Sequence, residues 1–284
     1  MCDESQPNLG LTPYTDLNRR RFAAIAGATA ATLGGSAKAQ GAVTEQDVRV
    51  RTPDGTCDAK LLSPSGRGQW PGVLIWPDAG GLRPVSTDMG RRLAGQGYVV
   101  LVVNPYYRTG DVAYFAALPQ AESGPKRNAA RAAHTPEAID RDAKAFVAFL
   151  DGLPQTSNAK VGVQGYCMGG PFTIRTAAAV PNRIGAVGSF HGGNLVTKEP
   201  TSPHLLIGKT KARYLFAIAK GDDARDPEFK GVLRTGLYRA GLPGLVEVFG
   251  GNHGWCVPDN SVYDQAEAER AWAKLSDLYR QSLV

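Results

Sequence analysis

Lys160-Val161-Gly162-Val163-Gln164, running into Gly165-Tyr166-Cys167-Met168-Gly169-Gly170, decides how this chain is read. The first five residues are short, β-branched and apolar, the pattern of a buried strand. From Pro171 to Val180 the chain is rich in Ala and Thr without a breaker, which predicts a helix. Between them stands G-x-Cys-x-G, the spacing of a nucleophile elbow, in the strand–turn–helix context that gives such a motif meaning. Glycines on either side of the centre let the chain turn sharply and lift one side chain above the sheet. Cys167 therefore reads as a candidate nucleophile, provided a histidine takes its proton. The backbone N–H of Met168 would face the same point and hold an oxyanion. The plainer alternative is a small buried Cys filling a glycine-rich turn.

Working outward, a series of apolar runs alternates with helical patterns. Strands are expected at Gly72–Trp76, Tyr98–Asn104, Val161–Tyr166, Ala186–Phe190, Tyr214–Ala219 and Val246–Gly250. A β-hairpin precedes them, with Val48–Thr52 and Cys57–Leu62 flanking the Pro53-Asp54-Gly55 turn signal. Ile139, Ala143, Phe146, Val147 and Leu150 recur at three- and four-residue steps, as do Ala268, Ala271, Trp272, Leu275, Leu278 and Tyr279; each set is one apolar helix stripe. Continuous apolar strands alternating with amphipathic helices imply an α/β class, a mostly parallel central sheet with helices on both faces. Functional side chains then belong at the C-terminal ends of strands. The stretch from Tyr106 to Pro136 has no clean period and is expected to be loops with a short helix roofing the site.

The strand-end rule nominates partners for Cys167. Lys220-Gly221-Asp222-Asp223 follows one strand and Gly251-Asn252-His253-Gly254-Trp255 the last. The order Cys, Asp, His along the chain is that of the α/β-hydrolase triad, in which His253 would accept the thiol proton and an Asp would orient it. His191 also lies at a strand end but too early in that order, and reads as accessory or structural. His134 and His204 have no supporting context.

These residues carry a resemblance: from about Val48 to the C-terminus the chain resembles the dienelactone hydrolase family of α/β-hydrolases, whose G-Y-C-x-G-G signature matches residues 165–170. The resemblance implies the α/β-hydrolase fold and cleavage of a small ester or lactone through a thiol acyl-enzyme. It assigns Cys167 as nucleophile, His253 as base and Asp223, rather than Asp222, as the acid. Pro77-Asp78-Ala79-Gly80-Gly81 matches the family's loop carrying an acidic residue that influences the cysteine, here Asp78, and an oxyanion-hole N–H, here that of Ala79. Arg108, in Asn104-Pro105-Tyr106-Tyr107-Arg108, matches an arginine used on a substrate carboxylate, with Tyr106 and Trp255 as further substrate-binding or accessory residues. The chain departs from the pattern at Val257, four residues after His253, where dienelactone-cleaving members carry a second arginine. A weaker preference for dienelactone is expected. The rival from another class is a non-catalytic periplasmic small-molecule binding protein on the same fold.

The bulk numbers bound the rest. Of 284 residues, the first 39 read as an address: Asn18-Arg19-Arg20-Arg21-Phe22 resembles a twin-arginine signal, followed by an Ala/Gly-rich run and Ala37-Lys38-Ala39, a small-x-small cleavage site. That run is too short and too poor in Leu and Ile to anchor the chain in a bilayer. The twin-arginine export machinery is the expected transport partner, and a periplasmic or secreted location the destination. Residues 40–284 suit a single α/β domain. The net charge of +6 is mild. The basic cluster Lys126, Arg127 and Arg131 lacks interleaved aromatics and reads as a solvated loop, so nucleic acid is not an expected partner. Cleavage would remove Cys2 and leave Cys57, Cys167 and Cys256, an odd number and hence at least one free thiol. There is no C-x-x-C and the four histidines are scattered singly, so neither a metal, zinc in particular, nor a cofactor is expected.

Overall fold

Gly72–Trp76 (β3), Val99–Val103 (β4) and Val161–Tyr166 (β5) are buried along their whole length, which is what unbroken apolar strands require: cover on both faces. They form the centre of the sheet in this computed structural model, which describes residues 41–283. The predicted leader, residues 1–39, lies outside the described residues. The sheet has eight strands in the order β1-β2-β4-β3-β5-β6-β7-β8. Here β1 is Val43–Thr52, β2 Gly55–Pro64, β6 Ile184–Phe190, β7 Arg213–Ala219 and β8 Gly244–Phe249. The β1–β2 and β2–β4 pairs are antiparallel and every other pair is parallel. All expected strands are present. The hairpin runs further than the sequence suggested because the outer half of β1 is polar and exposed, and so carries no apolar alternation to read.

Alternation along each strand splits the core into two layers. Leu74, Trp76, Val163 and Phe216 point to one face, against Phe146 and Leu150 of Pro136–Asp151 (α4), Phe172 and Ile174 of Gly169–Ala179 (α5) and Leu233 of Phe229–Ala240 (α7). Val73, Ile75, Leu215 and Phe249 point to the other, against Val85 and Leu93 of Pro84–Ala94 (α1) and Leu275 and Tyr279 of Gln265–Ser282 (α8). Each fully buried aliphatic or aromatic side chain contributes about 1.5–3 kcal/mol of transfer free energy, so the two stripes fix which way their helices face. Local signals fix where the helices start. Thr135 accepts from the Ala138 N–H ahead of Pro136 in α4, and Asp264 accepts from the Glu267 N–H at the start of α8.

The stretch from Tyr106 to Pro136 is more ordered than expected. It holds two helices, Val112–Ala117 (α2) and Gln120–Ala130 (α3), and a 3-10 turn at Arg131–Ala133. Gly124-Pro125 inside α3 reads as a breaker, since an interior proline loses its own N–H and crowds the carbonyl four residues back, yet α3 continues through it. Tyr106, Phe115 and Ala130 form a small third cluster against Met168, so this insertion does roof the elbow.

Candidate active site

The elbow is held by backbone contacts that only glycine permits. A Cβ on Gly165 would run into the Gly169 carbonyl, and one on Gly169 into the Trp76 and Pro77 carbonyls. The turn forces Cys167 to φ 50°, a left-handed conformation that costs a non-glycine residue of order 1–3 kcal/mol. Three bonds hold it there: the Cys167 N–H donates to Phe190 O (3.1 Å), and its carbonyl accepts from the Gly170 N–H (3.1 Å) and the Gly193 N–H (3.3 Å). The strained thiol is half-buried rather than sealed.

His253 lies in the turn after β8, and its Nδ1 donates to Asp222 Oδ2 at 2.7 Å. A ring nitrogen of His253 also lies within 4.8 Å of Cys167 Sγ. Burial alone would lower the pKa of His253. The bond to Asp222, and then the nearness of Cys167, outweigh burial and raise it to about 10. An imidazole bonded to an acid and close to a cysteine is an arrangement that can activate a thiol.

The acid is not the one expected. Asp223 accepts two bonds from Lys230 Nζ (2.7 and 2.8 Å) and faces away from the imidazole. The cause is the short helix Lys220–Arg225 (α6), which begins directly where β7 ends. Successive helical residues differ by about 100° in direction, so only one of two adjacent acids can face His253, and that one is Asp222.

Asp78 also departs from expectation. Its Oδ1 accepts from the Gly80 N–H (2.8 Å) and Arg83 Nη1 (2.5 Å), and its Oδ2 accepts from Arg83 Nη2 (2.9 Å). Arg83 in turn holds Asp259 through Nε (2.7 Å) and Nη2 (2.8 Å). Burial alone would raise the Asp78 pKa, but the Arg83 charge and these bonds hold it below the usual carboxylate range. No hydrogen bond joins this carboxylate to Cys167 among the described residues; its bonds go to Gly80 and Arg83. The Arg83–Asp259 pair was not legible, since its members are 176 positions apart.

Arg108 is not directed at a substrate either. It donates to both oxygens of Asp142 (2.8 and 2.9 Å) and to Asp54 (2.6 Å), tying the hairpin turn to α4. Trp255 is fully buried, with its ring stacked on Phe249 at 5.3 Å, so it packs beneath the site instead of lining it. Val257 is core.

Tyr106 is buried beneath the roof. Its hydroxyl donates to Ala79 O at 2.8 Å and lies 3.5 Å from Met168 Sδ, joining the two residues expected to supply oxyanion N–H groups. Neither N–H is engaged in a backbone hydrogen bond among the described residues. Two cations stand over this hydroxyl. Arg131 and Arg127 both bear on it electrostatically, and the Arg127 Cζ lies 5.1 Å from the Phe115 ring centre. The Nε atoms of both arginines are buried without a partner. The expected solvated loop is therefore wrong for these two, because the fold of α3 turns them inward; Lys126 alone of the three is exposed.

His191 is buried, at φ 37°, with its ring centre 4.8 Å from that of His253 and 5.4 Å from that of Trp255. Burial, and then the charge on His253, push its pKa well below the usual value, and it stays neutral.

The sequence profile of the dienelactone hydrolase family matches residues 57–283. A candidate carboxymethylenebutenolidase of Methylorubrum extorquens is 26% identical over 240 residues, covering 83% of this chain and 80% of its own. Among solved structures, a candidate dienelactone hydrolase from Klebsiella pneumoniae superposes with a TM-score of 0.73 at 18% identity, covering 84% of this chain and 99% of that one. A dienelactone hydrolase from Anabaena variabilis gives 0.60 at 18%, covering 85% and 99%.

Proposed function

The chain belongs to the dienelactone hydrolase family and is an ester or lactone hydrolase; we propose that it works through Cys167, His253 and Asp222 by way of a thiol acyl-enzyme. The observation that carries this reading is the 2.7 Å bond from His253 Nδ1 to Asp222, on a ring with a nitrogen within 4.8 Å of the Sγ of the strained elbow cysteine.

The steps follow from those contacts. Cys167 Sγ attacks the substrate carbonyl as a thiolate, and the carbonyl oxygen takes up negative charge between the N–H groups of Met168 and Ala79. Loss of one such donor costs about 2.7–4 kcal/mol of transition-state stabilisation in a serine hydrolase. When the C–O bond breaks, His253 Nε2 gives its proton to the leaving alkoxide and a thioester to Cys167 remains. Water then attacks the thioester while His253 Nε2 takes its proton. Collapse releases the carboxylic acid and returns the thiolate–imidazolium pair. Asp222 keeps the Nδ1 proton in place throughout, so the ring exchanges protons only through Nε2.

An acid group on the substrate is matched by Arg127 and Arg131, whose unpartnered Nε–H groups lie beside Tyr106 at the roof. Arg108 is committed to Asp54 and Asp142 and takes no part. Export by the twin-arginine machinery belongs to the same reading and rests on Arg19-Arg20 and the residues around them.

The decisive test is p-nitrophenyl acetate cleavage by wild type, Cys167→Ala and His253→Ala, with mass spectrometry of the quenched wild-type reaction. The expected result is an acetyl adduct on Cys167, no cleavage by Cys167→Ala and a loss of several powers of ten in His253→Ala. Full activity in either variant overturns the mechanism. An inert thiol with tightly retained ligand would point to the binding-protein alternative.

A further inference from the structure

Sequence spacing gave no metal-ligand pattern, but the fold gathers three donors from three different strand ends. One ligand atom each from Cys167, His191 and His253 lies within 4.8 Å of the other two. Hydrolysis as described uses Cys167 and His253 and leaves His191 without a task. That imidazole is 1% exposed, and neither Nδ1 nor Nε2 has a hydrogen-bond partner. Two orphaned ring nitrogens in a polar site are costly, of order 1–3 kcal/mol for each group stripped of water. The ring also sits on a strained left-handed residue, with Trp255 packed edge-on behind it.

We propose that Cys167, His191 and His253 form a three-ligand site for a thiophilic divalent cation, zinc above all, whose binding reversibly switches the hydrolase off. A thiolate with two imidazoles is a donor set that suits zinc, leaving the fourth tetrahedral position to water. Bond lengths of about 2.3 Å to sulfur and about 2.0–2.1 Å to nitrogen require ligand atoms about 3.3–3.6 Å apart. The triangle therefore contracts by at most about 1.5 Å on an edge, within the reach of side-chain torsions. The outer shell is already in place: Asp222 holds the Nδ1–H of His253 and directs Nε2 inward, the carboxylate–histidine arrangement that orients zinc ligands. Binding replaces the Nε2 proton of His253 by the metal, so one proton leaves to solvent as the Zn–N and Zn–S bonds form. The nucleophile's lone pair and the base's lone pair are then both occupied. Only the inhibitory consequence rests on the hydrolase reading; the site itself does not.

The test uses chelator-treated protein and Co2+ as a coloured probe. The expected result is one Co2+ per chain, a near-ultraviolet sulfur-to-metal charge-transfer band, displacement by Zn2+, and loss of esterase activity in proportion to occupancy, restored by EDTA. Cys167→Ser abolishes the band. His191→Asn, which tolerates a left-handed backbone, and His191→Phe, which refills the ring volume, each weaken Co2+ binding at least tenfold while retaining the cooperative unfolding transition. Absence of the band in folded wild type overturns the site. So does unchanged affinity in both His191 variants, which would leave only the Cys167–His253 pair as ligands. An esterase that shows no band keeps the hydrolase reading and loses this one, so the two fail separately.

Discussion

At the scale of single residues, the choice between two adjacent acids is the sharpest point. Asp222→Asn keeps the shape of the site but removes the charge that supports the His253 imidazolium, and is expected to lower kcat by about 10²–10⁴-fold. Asp223→Asn breaks only the partly exposed pair with Lys230, worth about 0–1 kcal/mol, and kcat should stay within about twofold of wild type. Steady-state kinetics of both variants on one ester decide it; the reverse ranking would return the role to Asp223. The charge on His253 also sets a pH dependence. Its pKa rises from 6.5 to about 10 on folding, so the folded state holds the proton more tightly and that stabilisation is complete below about pH 6.5. It is lost as pH rises through about 10, together with the proton needed by the leaving group. In EDTA-treated protein, kcat/KM should therefore fall on an alkaline limb near pH 10, and the thermal midpoint should drop between pH 7 and 10 in wild type but not in His253→Gln. A midpoint that behaves identically in the two proteins would remove the imidazolium.

At the scale of elements, the insertion formed by α2, α3 and the 3-10 turn sets what the site accepts. Arg127 and Arg131 enter from this roof, and neither guanidinium has an acidic partner among the described residues. Arg127→Ala is expected to raise KM about tenfold for esters bearing a nearby carboxylate, one charge-assisted hydrogen bond of about 1.5–3 kcal/mol, and to leave neutral esters nearly unchanged. Arg108→Ala should lower the thermal midpoint, since it strands the buried Asp142, without separating the two substrate classes. Paired kinetics on an acidic and a neutral ester of the same alcohol measure both effects. How far each element was legible follows the same logic. The parallel strands were readable because burial on both faces leaves an unbroken apolar run, and α4 and α8 because a single stripe covers each. The elbow was readable because its glycines answer local steric demands. By contrast, the choice of Asp222 depends on α6 starting at Lys220, and the role of Arg108 depends on Asp54 and Asp142, which only the tertiary fold brings near. The inward face of α3 was hidden by Gly124-Pro125, which reads as a break.

At the scale of the whole molecule, the sheet sorts the chemistry: Cys167, Asp222 and His253 each follow a strand's C-terminal end, while the hairpin and α4 secure the opposite edge through Arg108. The export we propose rests on residues outside the described ones, and is expected to depend on Arg19 and Arg20. Replacing both by Lys should hold the chain in the cytoplasm at full length, whereas wild type should yield periplasmic protein beginning near Gln40. N-terminal sequencing of the two fractions checks this, and Met1 on periplasmic protein would contradict it. The central sheet also separates the cysteines. Cys57 packs into the layer with α4, α5 and α7, and Cys256 into the layer with α1 and α8, each buried and with its thiol pKa pushed up by that burial. Neither can reach the other through eight strands, and neither meets a water-borne reagent while the protein is folded. In protein from which residues 1–39, and with them Cys2, have been removed, the molecule thus carries its own counter: one equivalent of a thiol-reactive dye taken up under native conditions reports the number of intact elbows in a sample, and a rise toward three reports how much of that sample has unfolded.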